Sequence, residues 1–321
     1  MTASVSTPAV ADLESHRREL TGYCYRMLGS GSEAEDAVQE TMLRAWKAAH
    51  RFEGRATVRT WLYRIATNVC VDMARSPQRR ARPIDLGPSR TPDPVHLDDV
   101  LPDGGWITPI PDSSVIDLDG DPADVAAARD TIRLAFLSAL QRLPARQRAA
   151  VVLCEVLRWP AAEVATLLET STASVNSALQ RGRATLAAAP SAPATPPPSV
   201  DQERLLARYV DAFERYDMDA LAALLHEDVV QTMPPYAMWL QGRDDLVKWY
   251  LGAGIGCRGS RLLPGQANGC AAFAQYRVDP AGGHAPWALQ VIELRGDRIE
   301  AVHSFLETEA FGRFGFPAHL D

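Results

Sequence analysis

Residues 77–122 carry neither of the apolar periods that build helices and strands, and that stretch alone forbids one continuous core. Pro, Asp, Gly and Ser dominate it, which predicts a long tether and not a domain. Inside it only "GGWITPIPD" is apolar enough to dock onto something. A second interruption, "APSAPATPPPS", reads as a Pro/Ala linker and a domain boundary. The 321 residues are therefore expected to divide as a disordered N-terminus (1–10), a helical module (11–82), an acidic linker (83–123), a second helical module (124–188), the Pro/Ala linker (189–200) and a third domain (201–321).

Charge follows the same division. The net charge of -7 is an average over unlike parts. From Arg51 to Arg82 eight arginines stand against Glu53 and Asp72, and from Gln141 to Arg183 six arginines stand against three glutamates. Between them, Asp85 to Asp130 holds eleven aspartates against Arg90 and Arg129. Two basic modules joined by an acidic tether point to a polyanionic partner for the modules. No apolar run approaches the roughly 18 to 20 residues that span a bilayer, and "MTASVSTPAVADLESHRREL" lacks the layout of a signal peptide. Five scattered cysteines form no paired metal motif, and their odd count argues against a disulfide framework. The expectation is a cytoplasmic protein with no membrane segment, no metal and no cofactor.

Within 11–76 the spacing predicts three helices. "DLESHRRELTGYCYRMLG" ends at a Gly-Ser-Gly stop, and "SEAEDAVQETMLRAWKAAH" opens with Ser32 as N-cap and acidic residues in its first turn. The third helix runs from about Val58 to Arg75. Its stripe of Val58, Leu62, Ile65, Val69 and Met73 is the expected core face, with Trp61 beside it and assigned to the core. The other face carries Thr60, Arg64, Asn68 and Arg75, flanked by Arg59, Tyr63 and Thr67. Such a mixture suits a phosphate track with groups able to read exposed base edges. "HRFEGRA" before it is a polar loop where an extruded base could sit, and "RSPQRRAR" after it is a purely electrostatic tail.

In the second module, "PAAEVATLLETSTASVNSALQRGRATL" matches a helix-turn-helix whose second helix starts at Ser171 or Thr172. Val175 and Leu179 face inward at i, i+4, which leaves Thr172, Ser174, Asn176, Ser177, Gln180, Arg181 and Arg183 outward. Small polar side chains at a helix N-terminus suit the major groove, with arginines further along for phosphates. The third domain opens with an amphipathic helix and closes with a hairpin, "WALQVIEL", "RGDR", "IEAVHSFLE", which indicates an α+β fold. The fold class expected is multidomain: two all-α domains, the second a helix-turn-helix, followed by an α+β cone.

The residues "EAEDAVQETMLRAWKA", "FEGRATVRTWLYRIATNVCVDMAR" and the helix-turn-helix run resemble the two domains of the extracytoplasmic-function sigma factors of the sigma-70 family. The resemblance implies an alternative sigma factor that binds core RNA polymerase at its clamp and flap regions and directs promoter-specific initiation. By position, Glu33, Glu35, Asp36, Gln39 and Glu40 would meet the polymerase clamp. Phe52, Glu53 and Gly54 match the loop that captures an unstacked -10 base, and Arg59, Tyr63, Arg64 and Asn68 match the helix that directs the non-template strand. Thr172, Ser174, Asn176, Ser177, Gln180 and Arg181 match the -35 reader. In this family the acidic linker threads into the active-site cleft and RNA exit channel of the polymerase.

"LLARYVDAFERYDMDALAALLHEDVVQTMPP" and "WALQVIELRGDRIEAVHSFLE" resemble the SnoaL-like polyketide-cyclase family, with its nuclear-transport-factor-2 cone. The whole architecture resembles the SigG and SigJ types of actinobacterial sigma factor, in which such a domain is fused at the C-terminus. The resemblance implies a cone able to hold an unknown small ligand, with Asp217, His226 and His303 as candidate bases. His303 is expected either to be a satisfied core histidine or to point into the cone beside Trp239 and Trp287 as a candidate ligand pocket. No acid/base pair stands at a diagnostic spacing, so the domain is expected to be an intramolecular regulator and not an enzyme. A ligand-sensing helix-turn-helix regulator is the alternative, and it leaves residues 33–76 unexplained; a cyclase or isomerase lacks a convincing base.

Overall fold

In this computed structural model the described residues are 8–54, 56–74, 80–92, 100, 104–188 and 200–321. The Pro/Ala linker after residue 188 and residues 75–79 of the basic tail lie outside them. The chain forms two compact units, residues 1–80 with 113–192, and residues 81–112 with 193–321. The acidic tether is thus divided at 112/113, with its first part belonging to the C-terminal unit.

The first unit is all helical: α1 (Val10–Glu14), α2 (Arg17–Leu28), α3 (Gly31–Ala48), α4 (Val58–Met73), α5 (Pro122–Asp130), α6 (Leu134–Gln141), α7 (Ala145–Val151), α8 (Ala161–Leu167) and α9 (Thr172–Ala187). The single helix expected before the Gly-Ser-Gly stop is broken at Ser15–His16, and Ser30, not Ser32, caps α3 by accepting the Glu33 N–H. An N-cap needs extended backbone, and Ser30 has it (φ -137°, ψ 129°). The second helical module opens with two short helices, α5 and α6, separated at Thr131–Arg133. Between α7 and α8 lies one π-helical turn, Val152–Val156.

Thr57 and Ser171 cap α4 and α9 by accepting the N–H groups of Thr60 and Ser174. In α9, Val175 and Leu179 are buried, each worth about 1.5–3 kcal/mol of apolar burial. At Gly182 a Cβ would come within 2.4 Å of Val151 Cγ2, so glycine is what lets α9 lie close on α7. Arg148 is buried and donates to the carbonyls of Leu140, Gln141, Leu143 and Met27, tying the C-terminal ends of α6 and α2 together. Arg26 donates to Gly22 O and Thr131 Oγ1, and burial draws its guanidinium down to about 10.

The second unit holds α10 (Val200–Arg215), α11 (Met218–Ala222), β1 (Leu225–Thr232), β2 (Trp239–Gln241), α12 (Arg243–Leu251), β3 (Arg261–Ala267), β4 (Cys270–Val278), β5 (His284–Arg295), β6 (Arg298–Phe305) and α13 (Ala310–Arg313). The sheet order is β2-β1-β6-β5-β4-β3, with β1 and β6 parallel and the other pairs antiparallel. The expected hairpin is β5–β6, turning at Gly296 (φ 60°). One face of the sheet fills the core with the helices, through Phe273, Ile292 and Val302 against Tyr209, Phe213 and Tyr250. Among the described residues no helix is long and apolar enough to cross a membrane.

Candidate nucleic-acid interface

Three of the five clamp candidates on α3, Glu35, Asp36 and Gln39, are exposed, and Glu33 and Glu40 are half-buried. Glu33 pairs with Arg80, and Glu40 with Arg44 at 2.6 Å. Glu35 and Gln39 line an open groove with Arg18 and Asp117, which pair at 2.6 Å. One helix face therefore carries four carboxylates, two of them paired with arginines of this chain.

The loop candidates Phe52, Glu53 and Gly54 border a pocket of about 250 Å³ that also takes in Trp61, Arg64 and, from α8, Thr166 and Leu167. Trp61 departs from expectation. Its ring is half-buried and tilts against Phe52 at 5.2 Å, so it walls the pocket and is not part of the core. Tyr63, expected on the flank of the polar face, is fully buried: its ring lies against Tyr23 at 5.1 Å and its hydroxyl donates to Glu19. Burial, with the Glu19 carboxylate beside it, pushes the Tyr63 phenol well above its ordinary range. The core face of α4 is Leu62, Tyr63, Ala66, Val69 and Cys70, rotated from the expected stripe, and Met73 is 36% exposed. Arg64 and Asn68 are exposed one turn apart; Arg59 is half-buried, with its Nε 2.7 Å from Glu19.

On α9 all six reader candidates, Thr172, Ser174, Asn176, Ser177, Gln180 and Arg181, are exposed. Arg181 donates to Ser177 at 2.6 Å, and Arg183 pairs with Glu155 at 2.6 Å. The helix thus offers hydroxyl, amide and guanidinium groups on one face, while its other face is packed.

In the C-terminal unit Asp217 and His226 do local structural work, and His303 is a core histidine. Asp217 caps α11 by accepting the Ala220 N–H, and His226 Nδ1 accepts the Asp228 N–H. His303 is buried, with Nδ1 at 2.9 Å from Thr232 Oγ1 and Nε2 at 3.5 Å from Glu293 Oε1. It alternates with Val302, so it lies on the sheet face opposite the helical core and does not point into the cone. Trp239 shares its row through Thr232. Trp287 does not: it sits at the β4–β5 irregularity beneath Arg277, 3.4 Å from guanidinium carbon to ring centre.

What Trp239 holds is the linker. Its indole N–H donates to Gly87 O at 2.9 Å, and its carbonyl accepts the Arg90 N–H at 2.9 Å. At the other edge of the sheet, Asn268 accepts the Ile110 N–H at 3.2 Å and donates its own N–H to Ile110 O at 3.3 Å. The Gly269 N–H donates to Asp112 at 2.8 Å. Trp106, Ile107 and Ile110, the apolar patch of the tether, are buried.

Sequence reasoning missed Glu19, Arg148, Trp159, Glu169 and Asn268. Only Asn268 left a usable signal, since Asn-Gly between two β-like runs marks a two-residue hairpin turn.

Three stretches match family models: sigma-70 region 2 over residues 13–80, sigma-70 region 4 over 133–186 and a SnoaL-like domain over 206–302. The chain is 42% identical to the ECF RNA polymerase sigma factor SigG of Mycobacterium tuberculosis, over 97% of this chain and 84% of that protein. It is 30% identical to SigJ of the same organism, over 76% of this chain and 72% of that protein. The crystal structure of that SigJ shares the fold, with a TM-score of 0.61 at 24% identity, covering 97% of this chain and 100% of that one.

Proposed function

Since this chain belongs to the extracytoplasmic-function sigma factors of the sigma-70 family, and is an alternative sigma factor directing transcription initiation, we propose a division of labour among its parts. The carboxylate face of α3 (Glu33, Glu35, Asp36, Gln39, Glu40) docks on the clamp of core RNA polymerase. The pocket edged by Phe52, Glu53 and Gly54 takes an unstacked -10 base, and Arg59, Arg64 and Asn68 guide the non-template strand, with the buried Tyr63 ring supporting Arg59. The outer face of α9 binds the -35 duplex, reading it through Thr172, Ser174, Asn176, Ser177 and Gln180 and holding a phosphate with Arg181.

The observation that carries this reading is α9: six polar groups stand exposed on one face while Val175, Leu179 and Gly182 are buried on the other. Direct readout requires such groups free to enter the major groove, and a helix N-terminus supplies them. Reconstituted transcription tests it. The chain with core polymerase initiates at a defined promoter, and Asn176→Ala with Gln180→Ala shifts the -35 preference. Binding to duplex DNA with no association with core polymerase would sink the reading.

The C-terminal domain acts as an intramolecular regulator without catalysis. Supporting this, Asp217 and His226 serve local turns and caps, and the domain's Trp239 and Asn268 hold residues 81–112. The held segment is the one whose family counterpart enters the polymerase channels, so the grip would set when that segment becomes available. Removing residues 201–321 alters output in the reconstituted system and leaves the mapped promoter start unchanged; identical output across a range of protein concentrations would overturn the regulatory role.

A further inference from the structure

Two arginines on the face of α4 assigned to the melted strand are contacted from within its own compact unit, while Asn68 stays exposed. Arg59 packs against the edge of a ring pair, its guanidinium carbon 5.2 Å from the centre of Tyr63 and 5.1 Å from that of Trp159. The two rings are themselves 4.9 Å apart. Further along the same helix, Arg64 pairs with Glu169 at 2.7 Å. An aromatic ring on an arginine–tyrosine shelf, with an oxyanion on the next arginine, is what a base and a phosphate of single-stranded nucleic acid would present.

Four features mark this as a contact built to be released. The indole N–H of Trp159 is buried and has no hydrogen-bond partner, which a permanent core position would rarely tolerate. Arg158 (φ 60°) and Glu169 (φ 53°), the residues that deliver the ring and the carboxylate, both sit in the left-handed region where non-glycine residues are disfavoured. The π-helical turn Val152–Val156 lies just before them, and such turns are an uncommon distortion. The Arg64–Glu169 pair is also largely exposed, so salt and competing anions reach it.

We propose that Trp159 and Glu169 form an internal stand-in for single-stranded DNA, ring for base and carboxylate for phosphate. The second sigma domain thereby masks two arginines on the strand-binding face of the first until a strand displaces it. The inference rests on the reading of α4 given above, and the experiment separates the two.

The probe is a fluorescein-labelled single-stranded oligodeoxynucleotide carrying the non-template -10 region of a promoter the chain transcribes, titrated by anisotropy against the full chain at fixed salt. Trp159→Ala with Glu169→Gln binds it about tenfold tighter than the unchanged chain, the size of one ring contact removed from the closed state. Glu169→Gly, which removes the carboxylate while relaxing the left-handed backbone, tightens binding about two- to threefold and guards against a folding defect. Adding Arg59→Ala and Arg64→Ala to the opened variant abolishes the gain. If neither opened variant binds more tightly but the arginine changes still weaken binding, the stand-in is wrong and the reading of α4 survives. If the arginine changes have no effect either, both are wrong. A gain that survives loss of both arginines places the strand elsewhere and also overturns the proposal.

Discussion

Asn268→Gly removes a side-chain hydrogen bond from the grip of the C-terminal domain on the linker. Asn268 is fully buried, and its side chain accepts the Ile110 N–H at 3.2 Å. It lies at φ 55° in a two-residue turn with Gly269 at φ 70°, so glycine preserves the turn where alanine would add left-handed strain. The substitution strips the acceptor from a buried backbone N–H, which costs about 1–3 kcal/mol. The Gly269–Asp112 hydrogen bond and the burial of Trp106, Ile107 and Ile110 remain, so the segment loosens without unfolding the domain. Taking about 2 kcal/mol as the loss, the local opening constant rises roughly 30-fold. Amide hydrogen exchange on the full chain reads this directly: peptides within 104–112 exchange about 30-fold faster, and those in α9 and β5 do not change. Unaltered exchange across 104–112 would refute the grip. A uniform acceleration through the whole unit would refute it equally, because the residue would then be supporting the fold and not the segment.

Arg148→Met, which removes the common donor to four carbonyls at the ends of α2 and α6, is expected to cost about 3 kcal/mol and lower the melting temperature by about 6–12 °C; a shift below about 2 °C in a thermal melt would contradict the assigned role. At high pH the C-terminal unit weakens, because burial holds Tyr209 and Tyr250 above the ordinary phenol range and Tyr216 up to about 12. The folded chain keeps protons that the unfolded chain releases near pH 10, so stability present below about pH 10 is lost as pH rises towards 12. Urea melts from pH 9 to 11.5 check the sign, and a constant midpoint would reject it. Arg181→Ala weakens holoenzyme binding across all -35 sequences and lowers its salt slope by about one, whereas Asn176→Ala costs about 1–3 kcal/mol at one base pair only; equal losses on matched and mismatched duplexes would reject a reading role for Asn176.

The sequence was most legible where the governing interactions are local. The starts of α4 near Val58 and of α9 at Ser171 or Thr172, the inward Val175 and Leu179, and the β5–β6 hairpin all follow from signals within a few residues of one another. The errors were local as well: Ser32 displaced Ser30 as the cap because both precede acidic residues, and only the extended backbone at Ser30 distinguishes them. On α4 the periodic stripe was close to the buried face but rotated, since Tyr63 counted as polar although its ring is core and only its hydroxyl needs a partner.

By itself the sequence determined that this chain is two basic helical modules on an acidic tether with an α+β domain behind them, because period, charge and breakers act at short range. Tertiary structure alone decided what the aromatic and acidic residues meet. Trp159 reaches Tyr63 and Glu169 reaches Arg64 across about a hundred residues, and Asn268 reaches Ile110 across 158. The tether, one compositional segment, is divided at 112/113 because its apolar patch finds a buried site in the C-terminal unit. Such contacts depend on where folded surfaces present unsatisfied donors and apolar area, and no spacing along the chain encodes that.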